Sequence, residues 1–176
     1  LKEILQNNFA GFATNTAVIW SQNTTKPYKG FDKGRQWNME VRDMERLRQQ
    51  MPELDVITPL LFGGRKTVVF GDKKFSGSTQ GVNADYAEVS APKLFYGRYI
   101  NEMDVKQQRK VCVIGEQIYK NLFAGGGDPC GKSLRVDSTY YTVVGVDYRS
   151  GNGVNFGGRA DETITLPQSV LRTAYN

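Results

Sequence analysis

The stretch that most constrains the fold lies at residues 125–133, where three glycines precede the sequence DPCGKS. As a string, residues 126–133 match G-x-x-x-x-G-K-[ST], the loop that cradles phosphates in nucleotide hydrolases. Downstream, an apolar run ends at Asp147, as a magnesium-binding strand would. Whether this match is real decides between a nucleotide-binding fold and a different architecture.

The order of the neighbouring elements argues against a phosphate loop. Such a loop needs a strand leading in and a helix leading out, because the N–H groups at the helix N-terminus bind the phosphates. Here the pattern predicts a helix over residues 116–123 before the loop and a strand over residues 133–136 after it. Asp128, Pro129 and Gly131 suit positions one, two and four of a type I turn. We interpret the stretch as a glycine helix stop followed by a turn.

Composition excludes several classes of enzyme. The 176 residues include no His, so the commonest metal ligand and the usual general base are missing, which excludes Ser-His-Asp and Cys-His catalysis. Cys112 and Cys130 form no zinc pattern; they could pair in an oxidising compartment, although two separately buried thiols are the simpler interpretation. The net charge of +5 is spread along the chain and predicts no nucleic-acid specificity. No catalytic, cofactor or metal site is predicted.

The ends of the chain suggest a longer parent. The first residue is Leu1 rather than Met, so we expect a processed piece of a longer protein. No stretch within it reaches the roughly 18 to 20 apolar residues that a membrane-spanning helix needs. Residues 1–9 have the apolar spacing of a short helix, or of the end of a longer one.

Hydrophobic spacing predicts mixed structure in the first third of the chain. Apolar residues recurring every three or four positions predict a helix over residues 37–51. Segments rich in β-forming residues predict strands at 16–20 and 55–62, so that strand, helix and strand make a βαβ unit. Trp20 and Trp37 lie beside this predicted core, and we interpret them as core residues rather than binding anchors.

The remainder predicts short strands and helices. Gly71-Asp72 indicates a hairpin turn within residues 67–75, and Asp85 and Glu88 are spaced as the capping box of a short helix. Further strands are predicted at residues 110–115, 133–136, 140–146 and 162–166, with a closing helix from Pro167. The glycine-rich segment 149–161 is expected to be a loop in which Val154 and Phe156 are candidate contacts to a partner.

Short motifs follow one another in a fixed order along the second half. They are Gly81-Val82 with Asp85-Tyr86, Gly97-Arg98 with Asp104, residues 111–115 with Leu122-Phe123, Asp128-Pro129-Cys130-Gly131-Lys132, residues 143–146, and Leu166-Pro167. In this order they resemble the extracytoplasmic domain of MacB-like ABC transporter permeases, which accompanies an FtsX-like membrane portion. The similarity covers nearly the whole chain and is most specific over residues 81–167. Cys130 departs from it, standing where an aliphatic residue is usual.

The resemblance implies an α+β fold. A porter-like lobe of βαβ units would occupy about residues 10–75 and 134–176, with a smaller mixed α/β lobe inserted at about residues 76–133. Residues 1–176 would form one periplasmic core domain of an inner-membrane protein, with membrane helices on both sides. The motif residues are then expected to be structural: Gly81, Asp85, Tyr86, Gly97, Arg98, Asp104, Asp128, Pro129, Gly131 and Lys132. For Arg98 the expected role is a salt bridge, with Asp104 or Asp128.

The function implied by the resemblance is mechanical rather than catalytic. A cytoplasmic ATPase domain or subunit would hydrolyse ATP, and two permease copies would move outside the membrane. They would act on a substrate, a periplasmic adaptor or a lipoprotein, in efflux or in lipoprotein release. Two alternatives remain open from the residues alone: a small P-loop-like nucleotide-binding protein using residues 126–133, or a free-standing binding module of the cell envelope.

Overall fold

The computed structural model of the chain describes residues 16–20, 23–27, 29–34, 39–149 and 157–174. Contacts divide the chain into two compact units. The smaller unit is Thr14–Ile57, and the larger comprises Leu1–Ala13 and Thr58–Asn176.

Among its described residues, the smaller unit contains one helix, α1, at Val41–Gln50. Its first turn is closed by the Glu40 N–H, which donates to Asp43 Oδ2 at 2.8 Å. Near its end, Arg48 Nη2 donates to the carbonyl oxygen of Ile57 at 2.8 Å. The predicted helix over residues 37–51 is therefore confirmed in its central part. Trp37 lies outside the described residues.

The predicted strand at residues 16–20 is wrong. These residues join no strand, and the side chains of Ile19 and Trp20 are 60% and 59% exposed, so Trp20 is not the core residue we expected. A β-forming composition makes a strand only when a partner strand and a packed face are available. The βαβ unit predicted for this region is wrong as well.

The larger unit combines seven strands with four short helices and a 3-10 turn among its described residues. In chain order they are β1 (Leu60–Phe70), β2 (Lys73–Val82), α2 (Tyr86–Ser90), β3 (Leu94–Gly97), α3 (Glu102–Lys106), β4 (Val111–Gly115), α4 (Glu116–Leu122), β5 (Ser133–Val136), β6 (Thr139–Asp147), the 3-10 turn (Ala160–Glu162), β7 (Thr163–Pro167) and α5 (Gln168–Ala174). An α+β fold is confirmed.

All seven strands belong to one mixed sheet, in the order β3-β6-β4-β7-β2-β1-β5. Strand β5 also pairs with β6, so six strands close into a ring, and β3 is added to the outside edge of β6. The pairs β2–β7 and β4–β6 are parallel, and the other pairs are antiparallel. The chain reaches β6 from the parallel β4 through α4 and β5, so a strand–helix–strand crossover exists here rather than in the first third.

Strands β1 and β2 form the predicted hairpin, with Phe70 opposite Lys73 across the Gly71-Asp72 turn. Where two strands were expected, at residues 55–62 and 67–70, the structure has the single strand β1. A register shift between Phe62 and Gly64 interrupts its pairing with β2. An extra residue in one strand is typical of a β-bulge, which bends the strand without ending it.

The core has a large and a small cluster, on opposite faces of the sheet. The large cluster collects side chains from β1, β4, β5, β6 and β7 together with α4 and α5, among them Val68, Ile114, Leu134 and Ile164. The small cluster contains Val113, whose side chain points away from its neighbour Ile114, as alternation along a strand requires. Helices α2 and α3 flank this second cluster.

Several boundaries differ slightly from the sequence predictions. Helix α2 exists, but the carboxylate of Asp85 accepts a hydrogen bond from Thr58 Oγ1 at 2.6 Å and does not cap the helix, so the predicted capping box is wrong. Pro167 is the last residue of β7, and the closing helix begins after it. The predicted lobes at 10–75 with 134–176 and at 76–133 stay a prediction; strands from both segments lie in the one sheet.

Candidate functional site

The sequence motifs converge on strand β6. The Gly131 N–H donates to the Val143 carbonyl oxygen at 2.8 Å, and the Val143 N–H donates to the Lys132 carbonyl oxygen at 2.9 Å. One residue further on, the Val144 carbonyl oxygen accepts from the Arg98 N–H at 2.8 Å. The G-R and D-P-x-G-K motifs therefore meet at this strand. We call Gly97, Arg98, Gly131, Lys132 and residues 143–145 the β6 junction.

Two glycines make the β6 junction possible. Gly97 has φ of +66°, and a Cβ there would overlap the Val144 carbonyl oxygen and the sulfur of Cys130. A Cβ on Gly145 would overlap the Arg98 carbonyl oxygen. Both positions thus require glycine, because the backbones of β3 and β6 approach too closely for any side chain.

The glycine-rich stretch is a turn, as expected, but the turn is displaced by one residue. The Lys132 N–H donates to the Pro129 carbonyl oxygen at 3.1 Å, which makes Pro129 the first residue of the turn. Gly131 occupies the third position with φ of +86°, as a type II turn requires. Asp128 precedes the turn, and its Oδ1 accepts from the Cys130 N–H at 2.8 Å, which lowers the pKa of Asp128.

The element order around this turn is wrong for nucleotide binding. Helix α4 leads into the stretch and strand β5 leaves it, as the sequence predicted. The Tyr119 hydroxyl donates to the Gly127 carbonyl oxygen at 2.9 Å. This hydrogen bond connects the glycine-rich stretch to helix α4, which ends just before it. With no helix beginning after Ser133, the loop has no array of helical N–H groups for a phosphate.

Arg98 forms the expected ion pair with Asp104. Its Nη1 donates to Asp104 Oδ2 at 2.6 Å and its Nη2 to Oδ1 at 3.0 Å, while the Asn101 N–H donates to Oδ2 at 3.0 Å. Asp104 is fully buried. Burial alone would raise the pKa of Asp104, but the hydrogen bonds from Arg98 and Asn101 outweigh it and hold that pKa below its ordinary value.

A second buried ion pair, which the sequence reasoning missed, closes the far end of β6. Arg149 Nε donates to Asp147 Oδ2 at 2.6 Å, and Arg149 Nη1 donates to the Ser90 carbonyl oxygen at 3.0 Å. Asp147 Oδ1 accepts from the Lys93 N–H at 3.0 Å. Asp147 thus fixes the start of β3 and, through Arg149, the end of α2. An Asp at the end of an apolar strand with Arg two positions later was the available signal.

Two tyrosines are buried beside this pair. The charges of Arg149 and Asp147 both affect the pKa of Tyr86, from the D-Y motif, and the pKa of Tyr99. Burial raises the pKa of Tyr86 and raises that of Tyr99 to about 12, so both phenols are neutral at physiological pH. Gly81, from the preceding motif, has another role: a Cβ there would press on Leu171 of α5. Tyr86, Tyr99 and Gly81 therefore lie where separate elements contact one another.

The buried carboxylates of the described residues are paired with arginines. Like Asp104 and Asp147, the buried Asp161 is engaged by an arginine, because Arg159 Nη2 donates to its Oδ2 at 2.8 Å. None of these three carboxylates is therefore placed to take a proton from a substrate. Across the described segments, no three His, Cys, Asp or Glu side chains converge as a metal site would need. Cys112 and Cys130 are both free thiols, and burial raises the pKa of each, that of Cys130 to about 11.

An exposed aromatic cluster, which the sequence did not predict, lies at strand β3. Phe95, in the short edge strand β3, is 57% exposed. The centroid of its ring lies 4.6 Å from the ring centroid of Tyr148 and 4.6 Å from that of Tyr96. The contacts predicted at Val154 and Phe156 fall outside the described residues and stay a prediction. Among helices in the described part of the chain, none is long and apolar enough to cross a membrane.

A family model and individual related sequences point to the same protein family. The model of the MacB-like periplasmic core domain matches residues 2–176. A macrolide export ATP-binding/permease protein MacB from Aggregatibacter actinomycetemcomitans is 32% identical over 149 residues, which are 82% of this chain and 22% of that protein. The corresponding protein of Syntrophobacter fumaroxidans is 24% identical over 170 residues, 96% of this chain and 23% of that protein. The chain spans less than a quarter of the length of these relatives.

Solved structures show the same fold. The periplasmic region of MacB from Actinobacillus actinomycetemcomitans aligns with a TM-score of 0.66 and 26% identity, covering 96% of this chain and 72% of that one. The extracellular domain of the noncanonic ABC-type transporter YknZ from Gram-positive bacteria aligns with a TM-score of 0.64 and 18% identity, covering 78% of this chain and 66% of that one. At that identity the second likeness concerns the fold alone.

Proposed function

Because this chain belongs to the family of MacB-like periplasmic core domains, we propose that it carries ATP-driven movement to a substrate or partner outside the membrane. It is the periplasmic domain of a MacB-like ABC transporter permease, and we propose that it has no catalytic activity of its own. The observation that carries the proposal is the family match over residues 2–176.

The β6 junction supports a mechanical role. A domain that transmits movement has to shift as a body, with its elements fixed to one another. The ring of strands is closed, and β6 is tied to β3 and to the Pro129 turn by backbone hydrogen bonds. The ion pairs of Asp104 and Asp147 anchor the adjoining helices. We infer that strands from both proposed lobes, the porter-like one and the inserted one, move together.

The partners follow from the kind of transporter. We propose that ATP is hydrolysed by a cytoplasmic domain or subunit, and that two permease copies place two of these domains side by side. A periplasmic adaptor or a lipoprotein is the proposed partner outside the membrane. Relatives described as macrolide export proteins favour efflux over lipoprotein release as the process served by the parent protein.

Distances between spin labels in the full-length transporter test this proposal. A label at Asp72→Cys, on the exposed hairpin turn, is combined with Cys130→Ala, while Cys112 is buried and does not react. The distance between the two copies should change between the nucleotide-free and ATP-bound states. A second pair within one copy, at Asp72→Cys and Lys106→Cys, should keep its distance. An inter-copy distance that stays the same in both states would refute the proposal.

A further inference from the structure

A cavity of about 140 Å³ opens at the surface of the larger unit, beside the turn between β5 and β6. Its inner wall consists of Val136, Tyr141, Leu166 and Leu171, which are buried members of the large core cluster. Protein interiors are packed so densely that few gaps larger than a water molecule remain. An opening of this size that reaches the core is therefore a candidate binding site, and it is separate from the β6 junction.

Two glycines of β1 and β2 allow α5 to pack closely on the sheet beside the cavity. A Cβ on Gly63 would lie 3.0 Å from Leu171 Cδ1, and a Cβ on Gly81 would lie 2.9 Å from Leu171 Cδ2. The side chain of Leu171 therefore packs into the space above these two glycines, and α5 lies close to β1 and β2. The cavity lies between α5 and the β5–β6 turn, where the described residues that line it include Val136, Tyr141 and Ala174.

The rim of the cavity is polar and balanced in charge. Lys66 Nζ lies 3.1 Å from Asp137 Oδ2, so the two charges at the rim form an ion pair. Thr79, Ser138 and Thr139 add hydroxyl groups, of which Thr79 donates to the Gly64 carbonyl oxygen at 2.9 Å. A guest in this cavity would place its apolar part against the core and one polar group among these residues. A charged guest would have to displace the ion pair.

We propose that the cavity binds a small uncharged amphiphile, a single ring or a short alkyl chain with one hydroxyl group. The volume limits the guest to about one ring, because even an enclosed apolar cavity of about 150 Å³ accepts a molecule of the size of benzene, and this cavity is open at the surface. The apolar wall selects the ring or chain, and the polar rim selects a neutral hydroxyl over a carboxylate. This inference does not depend on the proposed function.

Titration of the ¹⁵N-labelled chain with 4-methylphenol, followed by NMR, tests the site. The amide signals of residues 136–141, 166 and 171 should shift and saturate, with a Kd of the order of 1 mM for a ligand of this size. Ala174→Phe places a ring at the edge of the cavity and should weaken binding about tenfold or more. Thr173→Phe, on the neighbouring exposed position of α5 that does not line the cavity, should bind as the wild type does.

Two further measurements keep the result decisive. Benzoate, with the same ring and a charge, should bind at least about fivefold more weakly than 4-methylphenol. If the NMR spectrum of Ala174→Phe shows that this variant is unfolded, Val136→Ala is tested in its place. Val136→Ala enlarges the cavity and should bind 4-propylphenol more tightly than the wild type does. No saturable shift at 5 mM ligand, equal binding by Ala174→Phe, or shifts centred on Phe95 would each overturn the proposal.

Discussion

Asp104 and Asp147 are both buried and both pair with an arginine, but the two pairs differ in where the positive charge lies. The side chain of Arg149 is 9% exposed, so both members of its pair are inside the protein. The side chain of Arg98 is 42% exposed, although its partner Asp104 is completely buried. Water can therefore reach the cation of one pair and hardly reaches either ion of the other.

The difference changes what each arginine does for stability. Removing charges from water is costly, and a buried pair returns little net stability, but an ion left alone in the interior is strongly unfavourable. Without the Arg149 side chain, Asp147 would keep the hydrogen bonds from the backbone N–H groups of Lys93 and Arg149 but would lose the cation of its ion pair. Asp104 keeps the hydrogen bond from the Asn101 N–H and has Arg109 Nη1 at 3.9 Å from Oδ1. We therefore expect the molecule to depend more on Arg149 than on Arg98.

The largest effect should come from Arg149→Met. It leaves the buried carboxylate of Asp147 without its cation and should lower the free energy of unfolding by about 3–5 kcal/mol. The Ser90 carbonyl oxygen also loses the hydrogen bond that holds the end of α2. Urea denaturation followed by circular dichroism measures the change.

A matched control is Arg172→Met, which removes an exposed arginine in the last turn of α5. The free energy of unfolding of this variant should differ from that of the wild type by no more than about 0.5 kcal/mol, as is usual for surface substitutions. If Arg149→Met behaved like this control, the buried pair would not be an anchor of β6, and the contrast between the two pairs would disappear.

The two pairs also differ in how far the sequence could predict them. Arg98 and Asp104 lie six residues apart within one motif, and the sequence predicts a salt bridge of Arg98 with either Asp104 or Asp128. Asp147 was considered as a magnesium ligand, and the segment from Arg149 onward was interpreted as a loop. The pairing of Asp147 with Arg149 has a local signal, two opposite charges two positions apart, whereas the contact of Arg149 with the Ser90 carbonyl oxygen spans 59 residues and has none.

The same distinction between local and distant contacts holds for the fold. The β1–β2 hairpin, β4, α4 and β5 follow from spacing and turn residues, because each is determined by its own sequence. Strand β3 is four residues long and depends on pairing with β6, about 50 residues away, so no local pattern predicted it. Strands β5 and β6 form a local hairpin, but closure of the ring also needs the pairing of β5 with the distant β1, in which Val68 lies opposite Val136. Residues 16–20 show the opposite case, a β-rich sequence without a partner strand.

A smaller effect is expected for Arg98→Met. The variant removes two hydrogen bonds to a buried carboxylate but leaves the Asn101 N–H in place, so the loss should be about 2 kcal/mol. Arg98→Lys keeps the positive charge but cannot form the bidentate pair of hydrogen bonds, so its free energy of unfolding should fall by about half as much. The same urea titration ranks the three arginine variants. A loss for Arg98→Met equal to or greater than that for Arg149→Met would break the comparison.

The smallest effect, a shift in the acid dependence of stability, sharpens the comparison for Asp104. Its pKa lies below the ordinary value of 3.8, so its contribution is fully present above that pH and is lost as the pH falls through the pKa of the folded state. Without Arg98, burial outweighs the remaining hydrogen bond and the pKa of Asp104 rises. The stability of Arg98→Met should therefore begin to fall at a higher pH than that of the wild type. Urea midpoints measured from pH 6 downward give the two profiles, with Arg172→Met expected to follow the wild type. Coinciding profiles for Arg98→Met and the wild type would mean that Arg98 does not set the charge state of Asp104, and that its exposed guanidinium is bonded to water more than to the carboxylate.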